Sequence, residues 1–161
     1  MYLLLKAVHV VAVVMFLGNI ATGVFWKAHA DRTRDPRLIA HAMDGIIRSD
    51  RLFTGPGAVL IVAAGIGTAV AGRLPILGTG WILWSIVLFT IAGIAFGLRL
   101  APLQRQLRSV AHEGAVQHGR PMDWARYERL SRAWALWGAL ALLTPFAALL
   151  LMVLKPVLPG L

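Results

Sequence analysis

The sequence predicts an all-α membrane protein, a bundle of four transmembrane helices with amphipathic helices in its charged loops. Three observations carry this reading. The chain is 58% hydrophobic with a mean hydropathy of +0.72, and only 14% of its residues are charged, against about 25% in soluble domains. Its charges divide it into four uncharged runs, 7–26, 52–72, 74–98 and 133–154. Twenty residues of helix reach about 30 Å, the thickness of a bilayer core. The 161 residues therefore form one integral membrane domain with spans at about 3–26, 52–72, 76–98 and 133–154. The third observation is the absence of cysteine, which excludes disulfides, thiolate metal sites and cysteine nucleophiles. A net charge of +9 could suggest nucleic acid, but in so apolar a chain the arginines belong to loops between spans, so the expected partner is the lipid bilayer and not nucleic acid.

The first run lacks the small-residue cleavage site of a signal peptide and ends in Phe25-Trp26-Lys27, so it is expected to stay. Lys6, His9, Ala12, Phe16, Asn19 and Gly23 share one side of this helix, which should face the bundle. Asp35-Pro36 then reads as an N-cap followed by proline at the first helical position. Leu38, Ile39, Ala42, Met43, Ile46 and Ile47 recur at helical spacing behind it. They predict a short amphipathic helix, lying on the membrane surface or packed under the bundle.

The second span opens with Phe53-Thr54-Gly55-Pro56-Gly57 and carries small residues at every fourth place, among them Ala63, Gly67 and Ala71. Such a face lets helices approach closely in lipid, which predicts the second span to be the most buried of the four. A tight turn leads to the third span, where Trp81 and Trp84 suit an interfacial belt. Gly93 and Gly97 form a GxxxG pair that could join a neighbouring helix or a second protomer. The helix can run on past Arg99, since Leu100, Leu103, Leu107 and Val110 keep an apolar stripe, until Gly119-Arg120-Pro121 interrupts it. Asp123 to Arg132 reads as a lead-in to the fourth span, in which Pro145 predicts a kink.

Thirteen lysines and arginines fall in the loops 27–51 and 99–132, against Lys6, Arg73 and Lys155 elsewhere. The asymmetry places both long loops in the cytoplasm and both termini in the periplasm of a bacterial inner membrane. All seven acids also fall in those loops, which leaves none as a proton relay within the spans.

His9 is the one histidine inside a span. An ionisable group there is costly and usually has a partner. It is open to three readings: a packing group bonded to a neighbouring carbonyl or to Ser85, an axial ligand of haem, or part of a metal or ion path. Haem b needs a neutral imidazole, apolar walls and cations for its propionates. Lys6, Arg73 and Lys155 would supply the cations, and Met152 is a candidate second ligand. The histidines at 29, 41, 112 and 118 fit no metal motif and read as solvated loop residues.

Four short stretches also carry a resemblance: Leu5-Lys6-Ala7-Val8-His9, Arg51-Leu52-Phe53-Thr54-Gly55-Pro56, Gly80-Trp81 and Lys155-Pro156. In this order they resemble a bacterial domain-of-unknown-function family of small integral membrane proteins. More distantly, they resemble HemJ-type protoporphyrinogen oxidases and CopD-like membrane domains. The HemJ resemblance implies a four-helix, haem b-binding redox protein whose ligand histidine falls on His9. The chain departs from that pattern twice. Trp84-Ser85 stands where a lysine would follow the Gly-Trp, and Ile94 to Arg99 contains no histidine. Oxidation of protoporphyrinogen is therefore not carried over. The five methionines form no Met-x-Met cluster of the kind a copper role would use. The other class of function is a non-catalytic transport or assembly subunit in which His9 only packs.

Overall fold

A computed structural model describes residues 1–116 and 122–161. His118, Arg120 and the Gly119–Pro121 interruption lie outside the described residues. Among the described residues six α-helices follow in order: α1 (Tyr2–Thr33), α2 (Pro36–Ser49), α3 (Gly55–Ala71), α4 (Gly80–Ala95), α5 (Ala101–Val116) and α6 (Trp124–Leu154). Four helical segments are long and apolar enough to cross a membrane, namely Tyr2–Thr33, Pro36–Ala71, Gly80–Val116 and Trp124–Leu154. The all-α, four-span reading is thus what the chain adopts.

Two of these segments are composite, for a reason written in their sequences. A π-helical turn, Asp50–Thr54, joins α2 to α3, and another, Phe96–Leu100, joins α4 to α5. In each, a wide bond closes the turn, from the Gly55 amide to the Asp50 carbonyl and from the Ala101 amide to the Phe96 carbonyl. The next residue is a proline in both cases, Pro56 and Pro102. Proline has no N–H to give and its ring crowds the carbonyl four residues back. Opening the helix by one residue relieves that crowding without breaking the rod.

The stop and start signals act as expected. Asp35 caps α2, its carboxylate accepting from the Arg37 amide at 2.8 Å, with Pro36 in the first turn. Asp123 caps α6 by accepting from the Arg126 amide at 2.9 Å. The α6 helix continues through Pro145. Past Arg99 the helix does run on, burying Leu100, Leu107 and Val110.

Packing follows two long seams, α1 against α3 and α4 against α6. The short helices α2 and α5 pack on each other and tie the two pairs together, burying Ile39, Met43 and Ile46 against Leu107, Val110 and Ala111. Of the two places foreseen for α2, it takes the one beneath the bundle. Near mid-span, Phe16 meets Phe89 with ring centroids 5.4 Å apart.

The α1–α3 seam is built from rings facing glycines. Phe16 lies over Gly57, His9 over Gly65 and Tyr2 over Gly72. The ring-bearing residues are seven apart on α1, two turns of helix. The small residues of α3 thus serve close approach, but to α1 and not on several sides. Only Ile61, Ala64 and Ala69 of α3 are buried, so the second span is not the most buried of the four. Six residues of α6 are buried, including Gly138, Ala141, Pro145 and Ala148. Gly93 and Gly97 face outward with open space around them, so the GxxxG pair is not spent inside this chain.

Candidate functional site

Three polar sites lie within or at the ends of the apolar bundle, and only the first was visible from sequence. Of the foreseen inward stripe of α1, Ala12 and Phe16 are buried and His9, Asn19 and Gly23 half-buried, while Lys6 is exposed; the stripe extends to the buried Lys27 and Ala30. His9 sits toward the end that carries both chain termini. Its Nδ1 is 2.8 Å from the Ile61 carbonyl oxygen. A carbonyl only accepts, so Nδ1 carries a proton and the ring is oriented with Nε2 turned away from that bond. Ser85 does not meet His9. It donates to the Trp81 and Ala148 carbonyls, at 2.7 and 3.2 Å, and so pins α4 to α6.

Lys6, Arg73 and Lys155 are all exposed at the terminal end. Arg73 and Lys155 each stand just past a helix C-terminus with left-handed backbone, φ 54° and 47°. A cation is favourable there whatever else it does. Lys155 Nζ also lies 5.5 Å from the centre of the Trp81 ring. Met152 is half-buried on α6. Lys27 meets Ser131, which fixes the register of α1 against α6. From there His9 and Met152 lie about 27 and about 32 Å along their helices, about one helical turn apart in depth, and no contact joins them among the described residues. The contacts that join α1 to α6, Lys27 with Ser131, Asp31 with Tyr127 and Arg34 with Glu128, lie at the opposite, charged end.

The second site is at that charged end and takes its acid out of the loop to which the sequence assigns it. Asp50 Oδ1 accepts from Asn19 Nδ2 at 3.2 Å and from Thr54 Oγ1 at 2.8 Å. Its Oδ2 accepts from Gln104 Nε2 at 2.8 Å. Asn19 also donates to Thr54 at 2.9 Å. Gln104 and Thr54 are buried. Asp50 therefore ties its own π turn to α1 and α5 through neutral donors, with no cation within salt-bridge distance among the described residues. The π turn places it: Asp50 is the first residue of the widened turn and Thr54 the last.

The third site is a buried cation. Lys27 is 3% exposed. Its Nζ lies 2.6 Å from Asp31 Oδ2 and 2.7 Å from Ser131 Oγ, and over the rings of Tyr127 and Trp134 at 5.5 and 5.1 Å. Tyr127 donates to the other Asp31 oxygen at 2.5 Å. The arrangement clamps α1 to α6. On the flank, Asp44 accepts from Arg108 and faces His112 Nε2 at 2.9 Å, so His112 is paired and not free in a loop. Among the described residues no three His, Asp or Glu side chains converge on a metal-sized site.

Residues 3–156 match the family described as Predicted integral membrane protein (DUF2269). No curated protein and no solved structure matches.

Proposed function

The chain belongs to this family of integral membrane proteins, and on that premise we propose that it binds haem b and has a redox role. The observation that supports this is the state of His9. Its Nδ1–H is held by the Ile61 carbonyl, and Nε2 has no hydrogen-bond partner among the described residues. A ligating imidazole is normally held in this way, with a carbonyl or carboxylate on the far nitrogen fixing tautomer and ring orientation. The resemblance to HemJ-type proteins supports the same residue. His9 would hold the iron, with Met152, on the same half of α6, as second ligand. Lys6, Arg73 and Lys155 would meet the propionates at the terminal end. Bound haem would supply one-electron exchange. The apolar residues of α1 and α3 would keep water from the ring.

A second reading rests on the same ring. His9 fills the notch left by Gly65, whose added Cβ would lie 3.0 Å from His9 Cε1, so a non-catalytic subunit would keep it for packing. Expression with ample haem separates the two. The first reading expects a Soret band in the purified protein, abolished by His9→Ala while helicity is kept. Lys6→Ala should only weaken haem retention, because an exposed ion pair is worth about 1 kcal/mol or less. A wild-type protein without a Soret band would end the haem reading.

The same proposal sets the chain in a bacterial inner membrane with both termini periplasmic, on the charge asymmetry of its loops. A reporter fused after Leu161 should be active only in the periplasm, and a cytoplasmic signal would reverse the topology.

A further inference from the structure

We propose that the pocket between the two π turns binds the headgroup of an aminated phospholipid, a phosphate and an ammonium taken together. The pocket has a volume of about 250 Å³, and Asp50, Arg51, Gly55, Phe96, Gln104 and Arg105 line it. That volume leaves room for a headgroup of phosphoethanolamine size.

Its chemistry is two cations and one anion. Arg51 and Arg105 are exposed, and neither forms an ion pair among the described residues. Two guanidiniums lining one pocket suit the oxygens of a phosphate. Asp50 supplies the anion. A carboxylate offers about four lone-pair sites, and Asn19, Thr54 and Gln104 use three of them. One site on Oδ2 is left for a donor. An ammonium attached to the phosphate would take it, whereas a purely anionic headgroup would set a second negative charge beside Asp50.

The setting points to a membrane lipid over a soluble zwitterion. Arg51 directly precedes the apolar run 52–72, which places it at headgroup depth. Leu52 and Phe53 beside it are 58% and 44% exposed, an apolar flank along which acyl chains can lie. Basic pockets between spanning helices at this depth are where lipid headgroups bind. The two prolines set the geometry, since each π turn displaces the lining residue that follows it, Gly55 or Ala101.

The test is native mass spectrometry of the full chain from nanodiscs of equal phosphatidylethanolamine and phosphatidylglycerol. The parent should retain the ethanolamine lipid about tenfold over the glycerol lipid, the ratio expected from one charge-assisted hydrogen bond. Asp50→Asn should level that preference while lipid is still retained. Arg51→Gln with Arg105→Gln should lose both lipids, and Arg51→Lys with Arg105→Lys should keep them, which separates charge from folding. Equal retention by the parent, or retention by the double glutamine variant, would overturn the proposal. Melting with soluble phosphoethanolamine is the second arm. Stabilisation there equal to that by the lipid would make the ligand a free solute and overturn the lipid assignment.

Discussion

Asp31→Ala should destabilise the protein by about 3 kcal/mol or more, because it strands a buried cation. Lys27 is 3% exposed, and among the described residues Asp31 is the only carboxylate within salt-bridge distance of it. Without that carboxylate the ammonium would keep Ser131 and the faces of Tyr127 and Trp134. Aromatic faces offset roughly 2 kcal/mol when desolvated, less than the loss. Tyr127 would lose its acceptor in the same step, since its hydroxyl donates to Asp31. The pair itself need not be a large net stabiliser, since two charges are desolvated to make it. Lys27→Met with Asp31→Leu should therefore recover most of the loss. Unfolding in detergent measures both. An Asp31→Ala protein that melts like the parent would mean that water reaches Lys27.

This clamp shows where sequence reading stops. Lys27 ends the first uncharged run and was counted with the loop cations, because at that position a lysine normally reaches water. Its burial depends on Tyr127, Ser131 and Trp134, a hundred residues on, and no local pattern announces that approach. The same limit hid Asp50. Asn19 was readable as a polar residue on the inward face, but its partner stood two residues before the second uncharged run and was taken for a loop acid. A signal did exist, in Gly55-Pro56 and Ala101-Pro102, where a proline follows a small residue inside an apolar helix. Gly55-Pro56 reads as the start of a span and Ala101-Pro102 falls inside a helix expected to run on, but each marks a π turn, because the amphipathic helices are continuous with the spans. What is legible is what local pattern encodes: four spans, the inward face of α1 and the cap at Asp35. The centrality given to the second span failed for a physical reason. Small residues permit close contact on a face but do not supply the neighbour, and here only α1 fills that role.

Gly65→Leu should be the most damaging change on the α1–α3 seam. A Cβ at Gly65 would lie 3.0 and 3.1 Å from His9 Cε1 and Nδ1. The ring is planar and cannot fold away, and its Nδ1–H is committed to the Ile61 carbonyl one turn earlier on the same helix. Any shift that admits the new side chain gives up that bond. The expected loss is about 3 kcal/mol, overpacking plus a hydrogen bond. Gly67 offers the contrast. Its added Cβ would meet the terminal carbons of Leu5 at 3.3 and 3.5 Å, and a leucine tip can turn aside. Gly67→Ala should therefore be mild where Gly65→Ala is not. If the clash with His9 is the cause, His9→Ala must relieve it. Gly65→Leu with His9→Ala should then be more stable than the sum of the single losses predicts, by at least about 1 kcal/mol. Simple additivity in that cycle would show that His9 does not fill the Gly65 notch. On the haem reading, Gly65→Leu carries a second signature. It should weaken or shift the Soret band with His9 still in the chain, because the Ile61 carbonyl would no longer fix the ring that presents Nε2.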